Sequence, residues 1–318
     1  MIWRENIILL LGNFTVLLIM LIYGVVSGGS AIILKIGIFR AGGINIDNFF
    51  RDILPAAWKL IKNRIWFIGG MAAILGFLIY TIALNLYDVS LVKPLVNTNL
   101  LFTFILAYIF FQEKLAKQEW FGILILILGL LIIAFSPNSE SSGTSMNVPL
   151  LVIFFPIVLI MLVAMVFIMF IVKYGYAEFT FPLFAGSFYG MGTFFTKSLL
   201  ISLNNLNLGN NFVLLFLYSL FMLLLTYAFA IIAQQLAFER GRLSIVSPIT
   251  NSLSVTFSFI GAYFVFFEEL VVPVEGILVL SSYFKVIGLV AIIFALFILR
   301  REIDPTNFLD QKVLLEKR

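Results

Sequence analysis

The chain has 318 residues, of which 62% are apolar and 11% charged, with a mean hydropathy of +1.13 and a formal charge of +4. Soluble domains carry about a quarter charged residues, so this chain cannot cover a water-facing surface. It also has no cysteine and no histidine, which excludes disulfides, thiolate chemistry and the commonest general base and metal ligand.

Bilayers admit only helices and closed barrels. The continuous apolar runs here have the length of membrane helices, about 20 residues each. Nine spans are expected, over Gly12–Ile36, Ile65–Leu86, Leu91–Phe111, Trp120–Phe135, Val148–Val172, Phe179–Leu200, Phe212–Phe238, Leu243–Phe267 and Phe284–Leu299. The N-terminal stretch is too long for a cleavable signal, and Arg4 is followed at once by Glu5. Residues 39–63 form the first connection. Within it, residues 44–64 are amphipathic, with Pro55, and suggest a helix lying on the cytoplasmic surface. The alternative is a degenerate tenth span, which would bury Arg51 and Asp52 at a cost.

Sixteen of the 20 Lys and Arg residues fall in alternate connections (35–64, 113–119, 173–178, 239–242) and in the tail. The positive-inside rule makes that side cytoplasmic. The expected topology is N-terminus outside and C-terminus inside, in the plasma membrane. Residues 301–318 form a cytoplasmic tail, as a short surface helix or a disordered end.

The chain also repeats itself. Gly24, Gly28 and Lys35 answer Gly186, Gly190 and Lys197 at an offset of 162. Pro94 and Asn97 answer Pro248 and Asn251 at an offset of 154, and Gly122 pairs with Gly288. The expected fold is all-α, with two four-helix repeats in residues 1–136 and 179–300. The linking span 148–172 inverts the second copy. Charge supports inversion, because basic connections of the first copy correspond to neutral or acidic ones in the second. Inverted repeats are a mark of secondary transporters.

The run Val89–Phe135 has a proline-containing helix, a terminal Phe-Gln-Glu-Lys-Leu, a short polar link and Gly122 and Gly129 seven residues apart. It resembles the drug/metabolite transporter superfamily, in its EamA-like form. The second copy carries the pattern from Ser244 to Glu269, and more weakly from Gly288. The spacing Gly24, Gly28, Lys35, the basic loop and the nine spans are similar to the magnesium-transporter-like (NIPA) branch. The resemblance covers nearly the whole chain, except 39–63 and 301–318, and implies transport without naming a substrate. The small multidrug members carry a carboxylate in their first helix; Gly12–Ile36 has none.

Amides inside a bilayer must face protein or water. Asn97, Thr98, Asn251 and Ser252 follow the two prolines and are candidate substrate contacts, with Asn97 and Asn251 as a symmetric pair. Gln234 and Gln235 are adjacent, so at most one faces a cavity; Tyr80 lies at a similar level. Pro94 and Pro248 are candidate hinges or harmless first-turn prolines. Gly24, Gly28, Gly186 and Gly190 serve close helix packing or the moving contact between halves. Lys93 reads as snorkelling to headgroups or as a positive charge at the outer mouth, with Asp88 near enough to neutralise it. Lys35 and Lys197 are expected to snorkel. Glu113, Glu268 and Glu269 are expected to end helices structurally.

Intramembrane proteases need histidine or two buried aspartates, and every Asp lies in a connection, a tail or at a helix end; an enzyme is not expected. No catalytic residue, metal site or cofactor is implied. The expected partners are a small-molecule solute, with or without a coupling ion, and the lipid bilayer. No nucleic acid is expected, and the oligomer is a monomer or a homodimer. A neutral or zwitterionic metabolite suits the amide and hydroxyl lining. The alternative is a Mg²⁺ permease, although such ions favour carboxylate ligands.

Overall fold

A computed structural model describes residues 2–42, 49–111, 117–135, 146–172, 177–206, 209–241, 243–268 and 283–299. Among these residues every regular element is a helix. The helices are α1 (Ile2–Arg40), α2 (Phe49–Lys62), α3 (Arg64–Leu86), α4 (Val89–Leu95), α5 (Thr98–Phe111), α6 (Lys117–Ala134), α7 (Val148–Val172), α8 (Ala177–Asn204), α9 (Asn210–Arg240), α10 (Leu243–Phe264) and α11 (Phe284–Leu299). The tail 301–318, Glu113 and Glu269 lie outside the described residues.

Among the described residues, five segments are long and apolar enough to cross a membrane: Phe14–Arg40, Arg64–Leu86, Val89–Phe111, Val148–Phe167 and Asn210–Glu239. Trp120–Ile133 and Phe284–Ala295 are shorter apolar helices. The other expected spans correspond to α8 and α10, whose buried faces carry serine, threonine and glycine. The outward surface is apolar, with Ile22, Leu75, Val163, Leu214, Leu224 and Val290 all more than half exposed. A soluble protein would bury such side chains; a lipid-facing one need not.

Two boundaries differ from expectation. The first helix runs well past Gly12–Ile36 at both ends. The amphipathic segment is a helix of 14 residues, about 21 Å long at 1.5 Å per residue, short of the ~30 Å hydrocarbon core. Asn63 ends it by capping α3, accepting bonds from Ile65 N (3.0 Å) and Trp66 N (3.1 Å).

The expected span Leu91–Phe111 is broken. α4 stops at Leu95, and α5 begins at Thr98. Between them the backbone tightens to three-residue bonds, Val96 N to Lys93 O and Asn97 N to Pro94 O. Pro94 has no N–H to donate. Asn97 Nδ2 then takes Pro94 O at 2.9 Å, competing with the helix for that carbonyl. Pro248 occupies the same register in α10, which continues unbroken to Phe264. There Ser252 Oγ donates to Pro248 O without displacing the helical path. The two prolines are therefore unequal, and only Pro94 marks a break.

Glycines set the packing. α1 crosses α3 and α5; α8 crosses α9 and α10; α6 lies along α11. A Cβ on Gly24 would meet Thr98 Oγ1 at 2.7 Å, and one on Gly28 would meet Asn99 O at 2.8 Å. On the other side, a Cβ on Gly186 would strike Thr250 O, and one on Gly190 would meet Ser254 O at 2.9 Å. Thus one Gly-x-x-x-Gly pair seats α5, which starts just after Asn97, and the other seats α10, which carries Asn251. Gly288 touches Gly129, with a Cβ on Gly129 reaching Gly288 O at 3.0 Å. α7 packs on α8 and α9 at the periphery.

A polar seam through the helix bundle

Lysines expected to reach headgroups instead turn inward. Lys35 in α1 is fully buried, and its Nζ donates to Gly241 O at 2.9 Å, the cap residue of α9. Lys197 in α8 is 4% exposed and donates to Leu84 O (2.7 Å) and Tyr87 O (3.1 Å) at the end of α3. Each cation thus meets the negative end of another helix. Snorkelling fails here because an unpaired C-terminal carbonyl nearby is a better partner than a distant headgroup. The two caps mark opposite ends of the bundle. Gly37, beside Lys35, lies against Trp66 at the start of α3, whereas Lys197 holds its last carbonyls.

At the Lys197 end a buried ionic cluster surrounds the start of α4. Glu268, 2% exposed, accepts from Val89 N (2.8 Å) and Ser90 N (2.7 Å). It thereby satisfies a helix N-terminus whose own cap residue, Asp88, makes no side-chain cap bond. Burial pushes the Glu268 carboxyl above the usual carboxylate range, and Asp88 adds to the shift; the two N–H bonds oppose it. Asp88 Oδ2 lies 3.7 Å from Lys285 Nζ, which also donates to Ser90 Oγ at 3.2 Å. Asp88 was expected beside Lys93, and Lys285 has it instead.

One turn inward lies Lys93, 4% exposed. Its Nζ donates to Thr193 Oγ1 at 3.0 Å and sits 5.1 Å from the centre of the Tyr80 ring. The snorkelling reading is thus corrected: α4 is buried along its whole length, so the side chain has no route to the surface. Tyr80 OH donates to the same Thr193 Oγ1 at 3.0 Å, and that hydroxyl donates onward to Tyr189 O. Tyr23 lies 6.2 Å from Tyr80, and Tyr189 lies 5.5 Å from Tyr227, ring centre to ring centre. Ser27 Oγ donates to Tyr23 OH at 3.3 Å. Tyr189 OH donates to Gln234 Oε1 at 2.5 Å. Towards the Lys35 end, Trp66 Nε1 donates to Gln235 Oε1 at 3.1 Å.

These groups form a polar seam between α1, α3, α4, α8 and α9, running from one lysine cap to the other. Lys93, Tyr80 and Thr193 are buried, while Tyr23, Ser27, Tyr189, Tyr227 and Gln234 keep part of their surface accessible. A separate open groove of about 470 Å³ lies on the bundle surface, lined by Lys117, Gln118, Phe121 and Ile298. It holds none of the seam residues.

The candidate contacts divide between two places. Tyr80 and Gln234 lie in the seam. Gln235, 7% exposed, bonds Trp66. Asn251 is not paired with Asn97; its Nδ2 donates to Asn99 Oδ1 at 2.8 Å where α10 meets α5. Asn97 is fully buried, and its Oδ1 has no hydrogen-bond partner. Thr98 Oγ1 donates to Met20 O at 2.6 Å, and Ser252 bonds within its own helix. Thr98 and Ser252 are therefore tied up in packing. Tyr23, Tyr189, Tyr227 and Thr193 were not anticipated. A signal was present for Tyr189 and Thr193, which with Lys197 recur every four residues, one stripe of a helix. Among the described residues no group of three acidic side chains could hold a metal.

Residues 8–135, which span α1 to α6, match the model of the EamA-like transporter family. A stretch of 79 residues is 28% identical to the probable 4-amino-4-deoxy-L-arabinose-phosphoundecaprenol flippase subunit ArnE of Pseudomonas fluorescens, covering 25% of this chain and 68% of that protein. No solved structure matches the chain. The protein is a multi-pass membrane protein whose residues 8–135 are similar to the EamA-like transporter family.

Proposed function

We propose that the protein is a secondary transporter that moves a small solute or metabolite across the plasma membrane by alternating access. The pair of crossed lysine caps carries this reading. Lys35 closes the end of α9, and Lys197 closes the end of α3. These partners follow the two sequence offsets, 162 from Lys35 to Lys197 and 154 from Tyr87 to Gly241. Two inverted four-helix copies joined by α7 explain why the same device stands at opposite ends. Opening one end breaks one cap and leaves the other intact, which is how pseudo-symmetric halves exchange inward and outward shapes. With nine spans, the Lys35 end is cytoplasmic and the Lys197 end is outside. The similarity to a protein named as a flippase subunit fits a fold that carries polar cargo through a bilayer. A Mg²⁺ permease of the magnesium-transporter-like branch fits less well, since the Lys93 cation lies within the seam and repels a divalent ion.

The chain has no native cysteine, so a single Ser27→Cys reports on the seam without background. Intact cells present one face to a membrane-impermeant thiol reagent, and inverted vesicles present the other. Alternating access is expected to give labelling from both faces. Labelling from one face only contradicts it.

A further inference from the structure

We propose that the seam takes its solute by an anionic group, a carboxylate or a phosphate, and that Lys93 is the residue that holds it; this deepens the transport reading and rests on it. The argument starts from charge. Lys93 is 4% exposed, and its partners are the Thr193 hydroxyl and the Tyr80 ring. Among the described residues no carboxylate pairs with it. The two acidic groups nearby are engaged elsewhere, Asp88 with Lys285 and Glu268 with the N–H groups of Val89 and Ser90. A buried cation without a counter-charge is costly, and inside a membrane it marks a ligand path. A bound anion supplies the missing charge.

Geometry agrees. An ammonium has three donors, and one is spent on Thr193. Tyr80 stands beside it as a hydroxyl donor able to turn from Thr193 to a second anion oxygen. Around them Tyr23, Tyr189 and Tyr227 keep accessible surface, so their rings can flank the body of a solute while the core stays packed. None of these seam side chains is acidic, so none repels an anion.

The test uses Ser27→Cys in cells and inverted vesicles, with five probes: benzoate, phenyl phosphate, hexyl phosphate, benzamide and benzylamine. At concentrations far above its Kd, at least one anion is expected to slow labelling about tenfold. Benzamide and benzylamine, its neutral and cationic counterparts, are expected to leave labelling unchanged. Adding Lys93→Gln removes the protection; Lys93→Arg keeps it, which separates loss of charge from loss of fold. Protection by hexyl phosphate alone assigns a lipid-like headgroup, and protection by benzoate or phenyl phosphate assigns a soluble anion. The proposal is overturned if benzamide protects equally, if Lys93→Gln retains protection, or if none of the three anions protects. Labelling from one face only, with protection still dependent on Lys93, would defeat the transport reading and keep the anion site.

Discussion

Gly186→Leu is expected to prevent the protein from accumulating in folded form. The methylene added at this position strikes the Thr250 carbonyl, and Leu253 Cβ lies 2.9 Å away. A backbone carbonyl in a helix cannot step aside as a side chain can. Overpacking ordinarily costs about 1–3 kcal/mol, and a contact with backbone lies at or above the top of that range. Separating α8 from α10 also removes a helix–helix contact that membrane proteins hold by close approach, with little help from the hydrophobic effect. Gly29→Leu is the control, since a Cβ there meets nothing within 4 Å. Size-exclusion profiles and melting curves in detergent should show a monodisperse, stable Gly29→Leu protein and an aggregated or absent Gly186→Leu protein. Equal behaviour of the two would sink the proposed packing of α8 on α10.

Glu268→Ala is expected to lower stability by about 3–5 kcal/mol, the usual cost of removing one partner from a buried charged network. The loss has a named origin. Val89 N and Ser90 N both bond this carboxylate, and each buried N–H left without a partner costs about 1–3 kcal/mol. The Glu268→Gln variant keeps one acceptor oxygen and is expected to fall between the two. A melting temperature for Glu268→Ala within a degree of the parent would show that Glu268 does not cap α4.

Much of the architecture was legible because the bilayer leaves so few options. Apolar runs of helical length map onto α1, α3 and α7, and the amphipathic segment onto α2. The glycine pairs, expected to serve close packing, lie where α1 meets α5 and where α8 meets α10. The break before Thr98 was less legible, because Pro94 and Pro248 read alike. What separates them is the side chain three residues later, in which Asn97 bonds Pro94 O and interrupts the helix. The lysines misled for a different reason. From sequence, a lysine near a span end has only headgroups as visible partners. In the fold, Lys35 and Lys197 meet helix C-termini from elements more than a hundred residues away. The same limit explains the site. Tyr80 and Gln234 stood out as polar residues in apolar helices, whereas Tyr23, Tyr189 and Tyr227 carry no distinguishing motif. The fold distinguishes them by placing Tyr23 against Tyr80, Tyr189 O within reach of Thr193, and Tyr227 against Tyr189.

The crossed lysine caps are the centre of the account, and they make an antisymmetric expectation. A hydrogen bond to a charged group contributes about 1.5–3 kcal/mol, so removing one cap shifts the balance between the two closed ends by roughly tenfold or more. The decisive measurement is the rate of Ser27→Cys labelling from each face in Lys35→Met and Lys197→Met backgrounds. Lys197→Met should speed labelling from the Lys197 face and slow it from the other, and Lys35→Met should do the reverse. If both variants speed labelling from both faces, or if neither changes it, the lysines are packing elements only, and the gating account fails.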